Sequence, residues 1–359
     1  MVSFHFALER IPHMDLTGHL ILIVPILLVF ITFAAYGSYA ERRVAAAFQQ
    51  RMGPNRVGPF GLLQPLADVL KLLIKEDVIP TNADKLLHFI APAISVCTTL
   101  LVLAVIPFAR VGDDFVVIAD INVGMLYILA VTSVTVYGIT LAGWASNSKY
   151  SLLGGLRASA QMVSYELPMG IAIVSVILLT NVRLPEGSEY LSITAIVEAQ
   201  RGLPNAIINP LGFIIFFICI LAETGRTPFD LMEAEQELVG GFHTEYSSMK
   251  FGTFMLVEFL HLVIPPAIIT TLWLGGYIGP FEEMLGFADW AGIWQVLWGL
   301  GWFSLKMFTI SFIFMWIRWT LPRFKYNQLM DLGWKRLLPL SILNLVLVAG
   351  GAALYLLAG

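Results

Sequence analysis

The chain has 359 residues, of which 58% are hydrophobic and only 13% charged, and its mean hydropathy is +0.79. A soluble domain carries nearer a quarter charged residues, so a water-soluble enzyme is excluded and an all-α polytopic membrane protein is implied, one transmembrane domain over 1–359 with short loops. The formal net charge of −4 says little about partners, because the charges are unevenly placed, and no nucleic-acid partner is implied.

A helix crossing hydrocarbon needs about 20 apolar residues. Eight candidate spans result, at 19–40, 88–108, 121–143, 163–182, 206–222, 251–274, 293–317 and 337–358. The first apolar run, roughly 21 residues, exceeds the ~7–15 of a signal peptide and reads as a membrane helix. After it, 41–80 is punctuated by Gly53-Pro54, Gly58-Pro59 and Gly61, and carries Arg42, Arg43, Arg51 and Arg56. Leu62, Leu63, Leu66, Val69, Leu70 and Leu73 then recur at helical spacing, with Asp68, Lys71 and Lys75 on other faces. That pattern predicts an amphipathic helix lying in the interface plane; a plain loop anchor explains it equally well.

The second loop on this side, 144–162, holds Gly154-Gly155, which predicts a tight turn before Arg157. Glu166 comes next, at the mouth of span four, where its short side chain needs a partner, a wet cavity or a proton. Between Ala222 and Glu258 stand seven carboxylates: Glu223, Asp230, Glu233, Glu235, Glu237, Glu245 and Glu258. A helix over 229–239 would put Asp230, Glu233 and Glu237 on one face, with Glu235 elsewhere. Clustered carboxyls raise one another's pKa, which suits groups that exchange protons. A solvated acidic face is the plainer alternative. Glu223 at the end of span five and Glu258 within span six argue against it, because intramembrane carboxylates point to proton or ion movement. His261, three residues after Glu258, is a candidate hydrogen-bond partner or a simple packed histidine.

Residues 275–292 are broken by Gly275, Gly276, Pro280, Glu282 and Glu283 and read as a loop. The last loop, 318–336, carries Arg318, Arg323, Lys325, Lys335 and Arg336, with Trp316, Trp319, Tyr326 and Trp334 suited to an interfacial belt. Sixteen of the 21 Lys and Arg lie in the loops after spans one, three, five and seven; four lie on the other side and Lys306 within span seven. By the positive-inside rule both termini face outward. The eleven acids of the outer loops read as solvated surface.

Cys97 and Cys219 sit in apolar runs and imply neither a disulfide framework nor a four-thiolate cluster. No dinucleotide fingerprint, P-loop or paired-histidine metal motif is present. Any metal or redox cofactor chemistry therefore belongs to other chains.

ERRV and QQRMGPNRVGPFGLLQPLAD with KLLIKE, then GGLRASAQMVSYE, then ETGRTPFDLMEAEQELVGGFHTEY, then RWTLPRFKYNQLMDLGWK with LLP, occur in order. Together they resemble the signature loops of the membrane heel subunits of respiratory complex I, the NADH–quinone oxidoreductases, from about residue 20 to the end. The resemblance implies an eight-helix bundle whose spans two to six look like half of an antiporter fold. It also implies docking to a peripheral arm, a share in a quinone chamber, and coupling of quinone reduction to proton translocation. NAD, FMN and iron–sulfur clusters would sit on partner subunits. By motif, Glu166, Glu223, Asp230, Glu233, Glu235, Glu237 and Glu258 match a proton relay, and Arg42, Arg51, Asp68, Arg318 and Arg323 match the chamber. Gly225 and Asn327 depart from the pattern, which has Asn and Asp there. A bacterial inner membrane is the expected location. A hydrogenase-type membrane subunit, a free-standing transporter and a purely structural docking subunit are the other readings. Paired broken helices would favour the transporter, and the sequence has no clear pair.

Overall fold

A computed structural model describes residues 16–358 except 113, 186–187, 233–234, 281 and 283–291; the side chains of 16–22, 235–236 and 358 also lie outside the described set. The described residues are predominantly helical with almost no sheet, as expected. Among the described residues, seven helical segments are long and apolar enough to cross a bilayer.

The first, α1 (Leu16–Phe48), runs well beyond the expected span and carries Glu41, Arg42 and Arg43 in helix. Its 33 residues measure about 50 Å against about 30 Å of hydrocarbon. The last turns therefore stand clear of the apolar core, at the end of the bundle that bears the basic loops. The amphipathic helix is present as α2 (Gln64–Ile74), with Pro65 in its first turn. Leu66, Val69, Leu70 and Leu73 are all exposed on it, as an interface-lying helix requires. An Arg42–Asp68 ion pair of 2.8 Å and a Ser248 Oγ bond to the Leu72 carbonyl fasten it to neighbouring helices.

Helix α3 (Lys85–Leu101) starts on Asp84, whose carboxylate accepts from the Leu86 and Leu87 amides, an N-cap that satisfies two orphan donors. After it comes a short antiparallel hairpin, β1 (Ala109–Val111) and β2 (Asp114–Val116). Three-residue strands leave too little periodicity to be anticipated. Helix α4 (Gly124–Ala145) leads into α5 (Lys149–Arg183), 35 residues long.

The turn expected at Gly154-Gly155 does not exist, because both lie inside α5. Their purpose is close approach. A Cβ on Gly154 would stand 2.6 Å from the Phe242 amide nitrogen and 2.9 Å from Gly241 Cα, and Gly155 abuts Gly143. Absence of side chains, not turn-forming freedom, selects glycine here.

On the opposite end lie α6 (Ile193–Glu198) and α7 (Asn205–Ile208). The expected fifth span is α8 (Pro210–Glu223), only 14 residues and about 21 Å, because Asn209 breaks the chain out of helix and caps the start of α8. The 229–239 helix is contracted to α9 (Glu235–Leu238). The sixth span is split into α10 (Ser248–Leu260) and α11 (Ile264–Trp273) by a turn at 261–263, just before Pro265-Pro266. Ser311 Oγ donates to the Leu262 carbonyl at the split. Lys306, on α12 (Gly292–Thr320), donates to the carbonyls of Leu274, Gly276 and Ile278 beyond α11. Its ammonium thus satisfies backbone groups that a helix end leaves open. Helix α13 (Tyr326–Asp331) passes through a wider π-turn, Leu332–Leu337, into α14 (Leu338–Ala358).

Helix α5 is the spine of the bundle. Gln161 donates to the carbonyls of Ala222 and Phe229 at 2.7 and 2.8 Å, and Tyr165 OH to that of Leu329 at 2.9 Å. Those three bonds fix the acidic loop and the last linker over one end of the bundle.

The eleven outer acids are not all solvated surface. Glu198 is mostly enclosed, pairs with Arg110 at 3.2 Å and with Arg201, and accepts from Tyr277 OH at 2.6 Å. Burial pushes its carboxyl above the usual carboxylate range, and the Tyr277 and Arg110 contacts oppose that rise.

Candidate functional site: a buried charge quartet and an internal carboxylate path

Four charged side chains from four segments meet at the basic end. Arg226, in the loop after α8, is 3% exposed. Its Nη1 donates to Glu41 Oε2 at 3.0 Å; its Nη2 donates to the Glu258 carbonyl at 2.9 Å and lies 3.4 Å from Glu258 Oε1. Arg318, at the end of α12, reaches Glu41 Oε1 at 2.7 Å and Glu258 Oε1 at 2.8 Å. Two cations and two anions make a net-neutral quartet. That neutrality matters, because an unpaired buried charge costs several kcal/mol while a matched set can persist. Arg226 also lies over the Phe259 ring at 5.5 Å.

The quartet opens onto a cavity of about 330 Å³ lined by Glu41, Arg42, Arg51, His243, Glu258, Arg318 and the apolar surfaces of Phe251, Met255, Phe259 and Trp319. Fixed cations beside aromatic and aliphatic walls suit a flat, partly apolar ligand that acquires negative charge.

A second set of carboxylates lies deeper. Glu223 lines a cavity of about 30 Å³ with Thr224, His261, Thr99, Thr132 and Thr135. It also lines another of about 10 Å³ that it shares with Glu166, Thr132, Tyr165 and Cys219. A water needs about 10–15 Å³ of such space and two to four polar partners, so each pocket is of a size and polarity to hold water. Glu166 accepts a hydrogen bond from Ser133 on α4, and Thr135 donates to Thr98 at 2.9 Å. Carboxyl, hydroxyl and imidazole groups therefore run in sequence from Glu258, past His261 one turn on, through Glu223 to Glu166 and Ser133. His261 stands at the C-terminal end of α10, just before the break to α11.

Residues 21–349 match the family model described as NADH dehydrogenase. The chain is 57% identical over 325 residues to NADH-quinone oxidoreductase subunit 8 of Rhodothermus marinus, covering 88% of this chain and 92% of that protein. It is 50% identical over 324 residues to an NADH-quinone oxidoreductase subunit of Syntrophotalea carbinolica (89% of this chain and 91% of that one covered). It is 52% identical over 330 residues to an NADH-quinone oxidoreductase subunit of Rickettsia typhi (91% of each). The chain belongs to the NADH dehydrogenase family. Its relatives carry the names of subunits of an NADH-quinone oxidoreductase, and that reading holds over the hydrogenase-type and free-standing transporter ones.

In this NADH dehydrogenase chain the expected residues fall into three places. Arg42, Arg51, Glu258 and Arg318 line the large cavity, and Asp68 reaches it through Arg42. Glu166 and Glu223 form the inner path. Glu237 and Arg323 do neither. Glu237 is exposed and held by Arg157 and Arg323 at 2.7 Å each. The bond from Arg157, then the charges of both arginines, hold its carboxyl below the usual range. It works as a strap from the acidic loop to α5 and to the linker after α12. Asp230 is half-buried at the turn before Leu231. Glu233 and the side chain of Glu235 lie outside the described residues. His261 faces the Glu223 cavity, while the bonds to Glu258 come from Arg226 and Arg318.

Two members of the quartet were not anticipated. Glu41 stands in ERR next to two arginines and reads as flanking charge, and Arg226 reads only as one more inner-side cation. A carboxylate inside a membrane-exit helix, opposite an arginine in the acidic loop, is the pattern that could have flagged them.

Proposed function

We propose that this chain is the membrane subunit of a proton-translocating NADH–quinone oxidoreductase in which the cavity at the basic end receives quinone and the carboxylate path carries protons tied to its reduction. The reading rests on the net-neutral quartet of Glu41, Arg226, Glu258 and Arg318 opening onto a cavity with apolar walls.

The quinone is substrate here: it takes two electrons from a partner subunit and two protons to become quinol. Arg42, Arg51 and Arg318 stabilise negative charge on its oxygens, and the aromatic and methionine walls exclude water, which strengthens each of those interactions. Any negative charge arriving at the cavity competes for Arg318 with Glu41 and Glu258. Loosening Glu258 from Arg318 favours its taking up a proton, and Glu223 and Glu166 pass on the change through water-sized pockets. The basic loops lie on the cytoplasmic side of a bacterial inner membrane, with both termini opposite, by the positive-inside rule. Peripheral-arm subunits carry NAD, FMN and iron–sulfur chemistry and dock over this end, and further membrane-arm subunits flank the bundle.

Purification through a tag on this chain in mild detergent tests the reading. The eluate should contain flavin and iron–sulfur subunits and reduce a short-chain quinone with NADH. A chain that elutes alone, or a complex that evolves hydrogen and ignores quinone, would overturn it.

A further inference from the structure

One wall group of the 330 Å³ cavity takes no part in the charge quartet or the path. His243 ends the short turn Gly241–His243 and is 9% exposed. Its ring lies parallel to that of Phe251, 5.3 Å apart at 9°, and 5.0 Å from that of Phe242. Two aromatic contacts from different elements give it one orientation. Nδ1 is fully enclosed and has no hydrogen-bond partner among the described residues. A neutral imidazole offers one donor and one acceptor. With Nδ1 enclosed, Nε2 is the nitrogen left to exchange a hydrogen bond across the cavity.

We propose that His243 positions the quinone by donating a hydrogen bond from Nε2 to one of its carbonyl oxygens, setting the head-group beside Glu258 and Arg318. The assignment rests on quinone occupying this cavity. The groups facing the imidazole support it. Glu258 comes from α10, Glu41 and Arg42 from α1, Arg51 from the segment after it, and Arg318 from α12. Burial holds the imidazole at about 4, against the opposing pull of Glu258, and the ring is neutral at pH 7. A neutral donor suits a neutral carbonyl, whereas the arginines suit the charge that develops later.

The test is made on the whole complex in native membranes, with NADH oxidation by a quinone-independent artificial acceptor as the measure of assembly. His243→Phe keeps the stacked ring and removes the donor, so KM for a short-chain quinone should rise roughly tenfold, the worth of one hydrogen bond, with kcat changed far less. His243→Gln places an amide near Nε2 and should restore KM to within about twofold; His243→Asn places it near Nδ1 and should not. If His243→Phe does not assemble, the Gln and Asn pair decides alone. Unchanged KM in the Phe variant, or Gln and Asn behaving alike, overturns the proposal. Arg318→Met is run in parallel. If it too leaves quinone kinetics untouched, the cavity does not hold quinone and the functional reading falls as well; if only the His243 variants are silent, the assignment to His243 alone fails.

Discussion

Arg226→Met is the substitution that weighs the quartet most directly. Methionine keeps length and apolar contact with Phe259 but removes the cation that binds Glu41 at 3.0 Å and the Glu258 carbonyl at 2.9 Å. Arg318 then faces two carboxylates alone, and the site holds one uncompensated negative charge. Breaking a buried ion pair by deleting one partner costs about 3–5 kcal/mol. Arg226 is 3% exposed and Glu41 5%, so solvent relieves little of that. Adding Glu41→Gln leaves one pair, Arg318–Glu258 at 2.8 Å, and restores neutrality. The double variant should therefore be more stable than Arg226→Met, with a coupling of about 2 kcal/mol or more. The assay is the fraction of tagged complex that stays assembled in detergent after graded heating. A single variant as heat-resistant as the native complex, or a double variant worse than either single one, would refute the reasoning.

Gly154→Ala should lower the same heat resistance by about 1–3 kcal/mol, because its Cβ meets the Gly241 and Phe242 backbone. Gly170→Ala, in the same helix with no described atom within 4 Å of the added Cβ beyond its chain neighbours and its own helix backbone, should be neutral or stabilising by up to about 1 kcal/mol. His243 titrates at about 4 in the folded chain and 6.5 unfolded, so between those values the unfolded state binds more protons. Stability should then fall as pH drops through that window, by up to about 1.4 kcal/mol per pH unit. Heat resistance of the His243→Phe complex should decline less between pH 7 and pH 5 than that of the native complex, and an equal decline would remove His243 as the cause.

The bundle was largely legible because twenty-residue apolar runs have few alternatives. Where the chain departs from that rule, composition is silent. Residues 261–263 read as continuous helix, yet the backbone opens there and the Leu262 carbonyl is taken by Ser311. Gly154-Gly155 had two readings, turn or close contact, that differ in the groups lying opposite, which local sequence does not hold. Glu223, Glu258 and Glu166 were legible because carboxyls in apolar runs stand out. Glu41 and Arg226 were not, since each sits among other charges and gains its meaning from a partner 185 residues away. Glu237 stands beside its acidic neighbours in sequence, and its two arginine partners come from α5 and from the linker after α12, which local sequence does not show.

The central claim is that Glu223 links quinone chemistry to proton movement. Glu223→Gln keeps the shape of a side chain that lines both water-sized pockets and removes its titratable proton. The complex, reconstituted into sealed vesicles, would be followed for NADH-driven quinone reduction and proton uptake in the same sample. The account predicts normal assembly with quinone reduction and proton transport both lost, or reduction surviving with fewer protons moved per electron. A variant that reduces quinone at the native rate and moves the native number of protons would contradict it.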